Sequence, residues 1–178
     1  MGIPTLISTT TASGASALNI TSGIDGTYDE YMLVLVDLYM TADAGSMGFN
    51  GSIDGGSNYD VAKTTTSFYA SHNENDAETQ FGYSAGKDVA DGAGVHKLYD
   101  GMGDDADDSA SGIIHLFSPA NTTYVKHFYG RVQVSNYTPR ANEHFSAGYF
   151  DTTSAINALT FVPSSETMTG SVQLYGIK

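Results

Sequence analysis

The feature that most constrains this chain is a rhythm. Short stretches of Val, Ile, Leu, Thr, Tyr and Phe, bounded by Gly, Asn, Asp, Ser or Pro, recur along it, and no long window carries apolar residues at a helical period. Strands are predicted at Leu6–Thr11, Ala17–Thr21, Tyr31–Met40, Met47–Ile53, Thr64–His72, Gln80–Ser84, Val95–Tyr99, Gly112–Phe117, Tyr124–Ser135, Phe145–Phe150, Leu159–Val162 and Ser171–Ile177. Many short strands separated by turn signals, rather than strands alternating with helices, point to stacked sheets. The expected fold is all-β: an antiparallel β-sandwich, jelly-roll-like, with about 8–12 strands and long loops. Neither a long internal repeat nor a low-complexity linker divides the 178 residues, so 1–178 reads as a single domain large enough to bury its own core.

Two segments say most about packing. Tyr31–Met40 is apolar on both faces until Asp37, which suits a strand central to a two-layer core or one lying under a subunit contact. In Tyr124–Ser135, Tyr124, Lys126, Phe128, Val132 and Val134 share one face, whereas Val125, His127, Tyr129, Arg131, Gln133 and Ser135 share the other. The first face reads as core and the second as solvent or interface.

Composition removes several function classes. The net charge is −13, with 17 acids against 3 bases in residues 1–108 and 3 against 4 in 109–178. A surface this acidic cannot release counterions from phosphates, so no nucleic-acid partner is expected. The absence of cysteine removes disulfides, thiol catalysis and Cys-based metal sites. Apolar runs such as Met32–Val36 are far too short for a helical membrane span, and the opening residues lack the basic and apolar regions of a signal peptide; no membrane association is expected. The acidic residues are densest between Glu74 and Asp108, which reads as a loop excursion and a solvated rim.

Four local patterns resemble chemistry. Gly82-Tyr83-Ser84-Ala85-Gly86 matches the Gly-x-Ser-x-Gly of hydrolases, but that motif needs a strand-to-helix turn, and Lys87–Gly94 has no helical period. Gly101-Met102-Gly103-Asp104-Asp105-Ala106 matches a dinucleotide fingerprint, but its aspartates would repel a pyrophosphate. The run Asp104–Asp108 offers hard oxygen ligands to a structural Ca²⁺ without the EF-hand register, so a solvated loop is the stronger reading and no cofactor is expected. Finally, a hairpin folded about Ser118–Thr123 would set His115 roughly opposite His127. Two imidazoles do not close a metal site, and a structural or partner-facing pair is favoured. His115, His127, Tyr129 and Arg131 are therefore the candidate partner or subunit contacts, and no catalytic residue is assigned.

Four stretches, Thr21–Tyr31, Phe117–Tyr129, Gly148–Ile156 and Gly170–Ile177, together resemble small β-rich structural proteins, decoration- or tail-fibre-like, of tailed phages infecting aquatic bacteria. The likeness runs from the first strand to the last. It implies a non-enzymatic virion protein made in the bacterial host cytoplasm, commonly jelly-roll-like and homotrimeric, with the major capsid protein or tail proteins as partners. A capsid decoration (cement) protein is the leading expectation. The alternative is a tail-fibre or receptor-binding module recognising host glycans through loop aromatics such as Tyr59, Tyr69, Tyr83 or Tyr99. The resemblance transfers no catalytic residues.

Overall fold

The computed structural model describes residues 2–164 and 166–178. Each of the twelve predicted strands is present: β1 (Thr5–Ala15), β2 (Leu18–Ile20), β3 (Glu30–Met40), β4 (Gly45–Ser52), β5 (Lys63–Asn73), β6 (Thr79–Tyr83), β7 (His96–Met102), β8 (Ala110–Phe117), β9 (Lys126–Ser135), β10 (Arg140–Phe150), β11 (Ala158–Pro163) and β12 (Met168–Ile177). They form two antiparallel sheets, an eight-stranded one ordered β1-β12-β3-β8-β9-β10-β5-β6 and a four-stranded one ordered β2-β11-β4-β7. From β2 to β5 successive strands alternate between the sheets. Without β1, β12 and the β9–β10 hairpin, the larger sheet reduces to β3-β8-β5-β6, four strands opposite four.

The core lies between the layers. Tyr31, Leu33, Leu35, Ile114, Leu116, Phe128, Val132, Phe150, Val172 and Leu174 of the larger sheet are buried, as are Leu18, Ile20, Met47, Phe49, Leu159 and Phe161 of the smaller. Phe49 joins the layers: its ring lies edge-on to Phe128 at 5.0 Å and to Phe150 at 6.0 Å, and stacks on Phe161 at 6.2 Å. Aromatic pairs at these separations add to the area they bury.

β3 is an interior strand, and its double-sided apolar character follows. Tyr31, Leu33 and Leu35 face the core, while Met32, Val34 and Val36 lie half-buried on the other side. A bulge then resets the alternation. Asp37 adopts φ 48° and breaks the register between Leu35 and Leu38, so Leu38 and Met40 return to the core. Opposite it Gly170 has φ 127°, and a Cβ there would sit 2.5 Å from the Asp37 carbonyl oxygen. Only glycine meets both demands.

β9 follows its predicted faces from Lys126 onward: Lys126, Phe128, Val132 and Val134 are buried, and His127, Tyr129, Arg131 and Gln133 are exposed. Tyr124 departs from the expectation, being exposed in the loop before the strand. Lys126 enters the core because its Nζ donates to the carbonyls of Tyr124 at 2.7 Å and Thr152 at 3.1 Å. Lys63 does likewise with Val61 and Gly94. Burial pulls both ammonium groups below their ordinary range, Lys63 to about 8.

β5 and β10 invert the usual pattern. Facing the interior are Thr65, Ser67 and Ser71 of β5 and Asn142, His144 and Ser146 of β10, all buried. Facing outward are Phe68 and Ala70, and Phe145, Ala147 and Tyr149. A half-buried strand ordinarily does the reverse.

Candidate interaction face

The inversion furnishes the outer face of the eight-stranded sheet. Registers across the strands define its rows. One row runs Val34, Ile113, Arg131, Phe145, Phe68, Tyr83. The next runs Tyr175, Met32, His115, Tyr129, Ala147, Thr66. Beside it Tyr149 pairs with His127 and Thr64, and Phe117 lines the same depression as these residues. At the β6 edge stand Phe81, 77% exposed, and Tyr83.

The rings on this face stack on one another. Tyr129 lies 4.8 Å from His115 and 5.6 Å from Phe117, near-parallel to both. Phe68 and Phe145 stack at 4.6 Å with an interplanar angle of 7°, and Phe81 closes on Phe68 at 5.7 Å. The Arg131 guanidinium lies 5.3 Å from the centre of the Phe145 ring and is ion-paired with Glu143, which raises its pKa further. His115 Nδ1 is hydrogen-bonded to Glu30. Thr64–Thr66, Phe117, His127–Tyr129 and Ala147–Tyr149 line an almost wholly apolar depression of about 440 Å³.

Five strands at ~4.8 Å spacing and three rows at ~6.7 Å cover on the order of 400–500 Å² once side-chain widths are added. That lies within the range of the largest, often functional, patch on an ordinary monomer (about 300–600 Å²), and is roughly half of what one partner gives up in a standard interface. The face also carries little unpartnered charge. Its two carboxylates, Glu30 and Glu143, are engaged by His115 and Arg131, while the acids of Asp104–Asp107 stand exposed in a loop. Depletion of unpaired charge beside enriched Tyr, Phe and Arg is the compositional mark of an interface centre.

The four residues singled out from sequence, His115, His127, Tyr129 and Arg131, all lie on this face. The expected His115–His127 pairing is corrected. The hairpin registers Leu116 with Phe128, so His115 faces Tyr129, and His127 lies beyond the last registered pair, lining the same depression as Phe117. The loop between β8 and β9 is longer than the turn assumed, which moves the pairing by two residues. Among the described residues no three His, Asp or Glu side chains converge on a metal position.

Phe68, Phe81, Phe117, Phe145 and Tyr149 were missed, although alternation within Thr64–His72 and Phe145–Phe150 marks each set as one face. Of the tyrosines proposed for glycans, Tyr83 is exposed, but Tyr99 is wholly buried and is withdrawn. Burial pushes its phenol far above the ordinary range. Tyr59 and Tyr69 are half-buried.

Ser84, of the Gly-x-Ser-x-Gly pattern, lies on a tight turn closed by Lys87 N–H donating to its carbonyl at 3.0 Å. No helix follows, and the Ser84 N–H is used by the Ser67 carbonyl at 2.9 Å. The Lys87 Nζ donates to Ser84 Oγ at 3.2 Å and is held by Asp100 at 3.0 Å. The geometry of a nucleophile elbow is not met here.

Comparison with family models, with characterised proteins and with solved structures yields no match.

Proposed function

We propose that this chain is a virion structural protein of a tailed phage, a capsid decoration (cement) protein whose outer aromatic face seats on the assembled head. The observation that carries the reading is that face: largely apolar, ring-stacked and with its carboxylates partnered, on a molecule of net charge −13. A shell that covers it gains apolar burial at about 25 cal/mol per Å². A protein that binds only the assembled lattice stabilises it by mass action. The phage-like stretches named above supply the virion assignment and the homotrimer. The interleaved strand order supports a jelly-roll-like description. In this reading the protein is not an enzyme, has no cofactor, and occupies the virion with the major capsid protein as its partner.

Quantitative mass spectrometry of purified particles tests it. One copy per capsid subunit, or a simple fraction of that, is expected. Absence from particles overturns the proposal. A handful of copies transfers the protein to the tail, where the second reading, a tail-fibre or receptor-binding module recognising glycans, takes over.

A further inference from the structure

The two sheets end in four edge strands, β1 and β6 of the larger and β2 and β7 of the smaller, and three of these edges are guarded. β2 is three residues long. β6 is five, preceded by Glu78 and followed by Asp88, whose carboxylate takes the Tyr83 hydroxyl at 2.6 Å. The stretch of β5 that β6 leaves bare is covered by a loop: Lys63 N–H donates to the Gly92 carbonyl at 3.0 Å and Thr65 N–H to that of Val89 at 2.8 Å. β7 exposes Lys97, and at its end Tyr137 N–H donates to the Gly101 carbonyl at 2.9 Å. Short strands, charges and covering loops are how proteins keep sheet edges from pairing with another chain.

β1 is the exception. It runs 11 residues and pairs with β12 on one side only. Among the described residues no backbone group of Thr5–Ala12 bonds to anything but β12, so the N–H and C=O groups directed the other way are open. Residues 2–24 carry no charged side chain, in a chain with 20 acids and 7 bases. Ile3 and Leu6, 89% and 52% exposed, stand at the start of this edge. Thr9 and Thr11 point outward beside Gln173 and Ser171, whereas Ser8, Thr10 and Ala12 turn inward beside Leu174, Val172 and Gly170. The register shifts between Leu6 and Ser8 and again between Ala12 and Ala15. Those irregularities confine pairing to the stretch between them, Ser8–Ala12, which is regular and centred on Thr10.

From this edge we infer that two copies of the chain associate through β1, antiparallel about a two-fold axis at Thr10. In that register the segment is complementary to itself: Thr10 meets Thr10 of the second copy, Thr9 meets Thr11, and Ser8 meets Ala12. Outward this makes two Thr–Thr pairs, a combination that supports strand pairing, inward it joins small side chains, and no charge is buried. Use of one patch by both copies is the commonest symmetry of identical chains. The other free edge of the same sheet, β6, is a poorer mate, being shorter and flanked by acids. Opposed residues of an antiparallel pair send their side chains to the same side, so the two eight-stranded sheets become continuous and their aromatic faces turn the same way. A joined pair then offers two such faces at once, and engagement of one raises the effective concentration of the other. None of the aromatic-face residues lies on β1, so the inference stands whether or not that face seats on a head.

Sedimentation of the full-length protein over a range of concentrations tests it. An even number of chains is expected: two if the contact acts alone, six if it joins two of the proposed homotrimers. Thr9→Lys together with Thr11→Lys, both at exposed positions, sets ammonium groups opposite one another across the axis. It should weaken association by at least about tenfold and halve the mass, with the far-UV circular dichroism unchanged. Thr9→Lys together with Thr11→Asp sets each ammonium opposite a carboxylate in the same register and should keep the mass even. Amide hydrogen exchange should slow at alternate residues of Ser8–Ala12 as the wild-type protein associates. One chain or three at every concentration overturns the inference. So does an even mass that the double-lysine variant leaves intact, because another surface then joins the copies. Dissociation of the lysine–aspartate variant as well overturns the register.

Discussion

Acid should loosen this protein through two histidines, well before its carboxylates are protonated. His96 is wholly buried, with Nδ1 3.0 Å from both Thr65 Oγ1 and the Lys87 carbonyl, and its ring packs near Phe49 and Phe128. A carbonyl can only accept, so the Lys87 contact selects the tautomer protonated at Nδ1. His144 is equally buried, between Tyr69, Lys87 and Asp100. Burial, reinforced by Lys63 for His96 and Lys87 for His144, lowers both imidazoles from 6.5 to about 4. The unfolded chain therefore takes up these protons first. The stability is intact above pH ~6.5, falls as the pH drops toward ~4, and levels off below. Integrated from pH ~7 to ~4.5, each imidazole removes about 2–3 kcal/mol, a large share of a typical total of about 5–15. Urea denaturation at a series of pH values reads the loss directly. His144→Leu and His96→Gln should each remove about half of the slope in that window, whatever they do to stability at pH ~7. A flat profile between these limits, or a slope unchanged in the double variant, would refute the reasoning.

Other perturbations test other parts of the structure. Phe49→Ala, which deletes the ring joining the two layers, should cost about 3–5 kcal/mol by chemical denaturation, and a loss under 1 would deny it that role. Gly170→Ala places a methyl group against the Asp37 carbonyl in a backbone conformation that alanine rarely adopts. A loss of about 1–3 kcal/mol is expected, and neutrality would mean that the bulge relaxes freely. Phe145→Asp puts a charge at the centre of the outer face without touching the core; co-sedimentation with phage heads lacking the native protein should fall by at least about tenfold while the melting temperature stays within a few degrees.

Much of this was legible in the chain. Strand positions followed because β-branched and aromatic runs ended at Gly, Asn, Asp and Ser, and such punctuation is a local signal. The two faces of β9 followed from alternation, Lys126 included. What the sequence withheld was which face of β5 and β10 points inward. Alternation puts Phe68 with Ala70 and Phe145 with Tyr149, but hydrophobicity alone would send those faces to the core. The register to neighbouring strands sends them out and brings Ser67, His144 and Ser146 in. The same non-local information decides that Tyr99 is core and that His115 meets Tyr129 rather than His127.

The place of β12, between β1 and β3 in the larger sheet, has a consequence for how the chain reaches its fold. Neither β1 nor β3 can acquire this neighbour until residues 168–177 have been made, more than a hundred residues after β3. Through that interval two long strands present unsatisfied edges to any other copy nearby. Loop closure over such spans is slow, and until it happens an open edge can take the β12 of another molecule in place of its own. Crowded synthesis thus sets chain completion against strand exchange. Slower production of the protein should raise the yield of the correctly closed form.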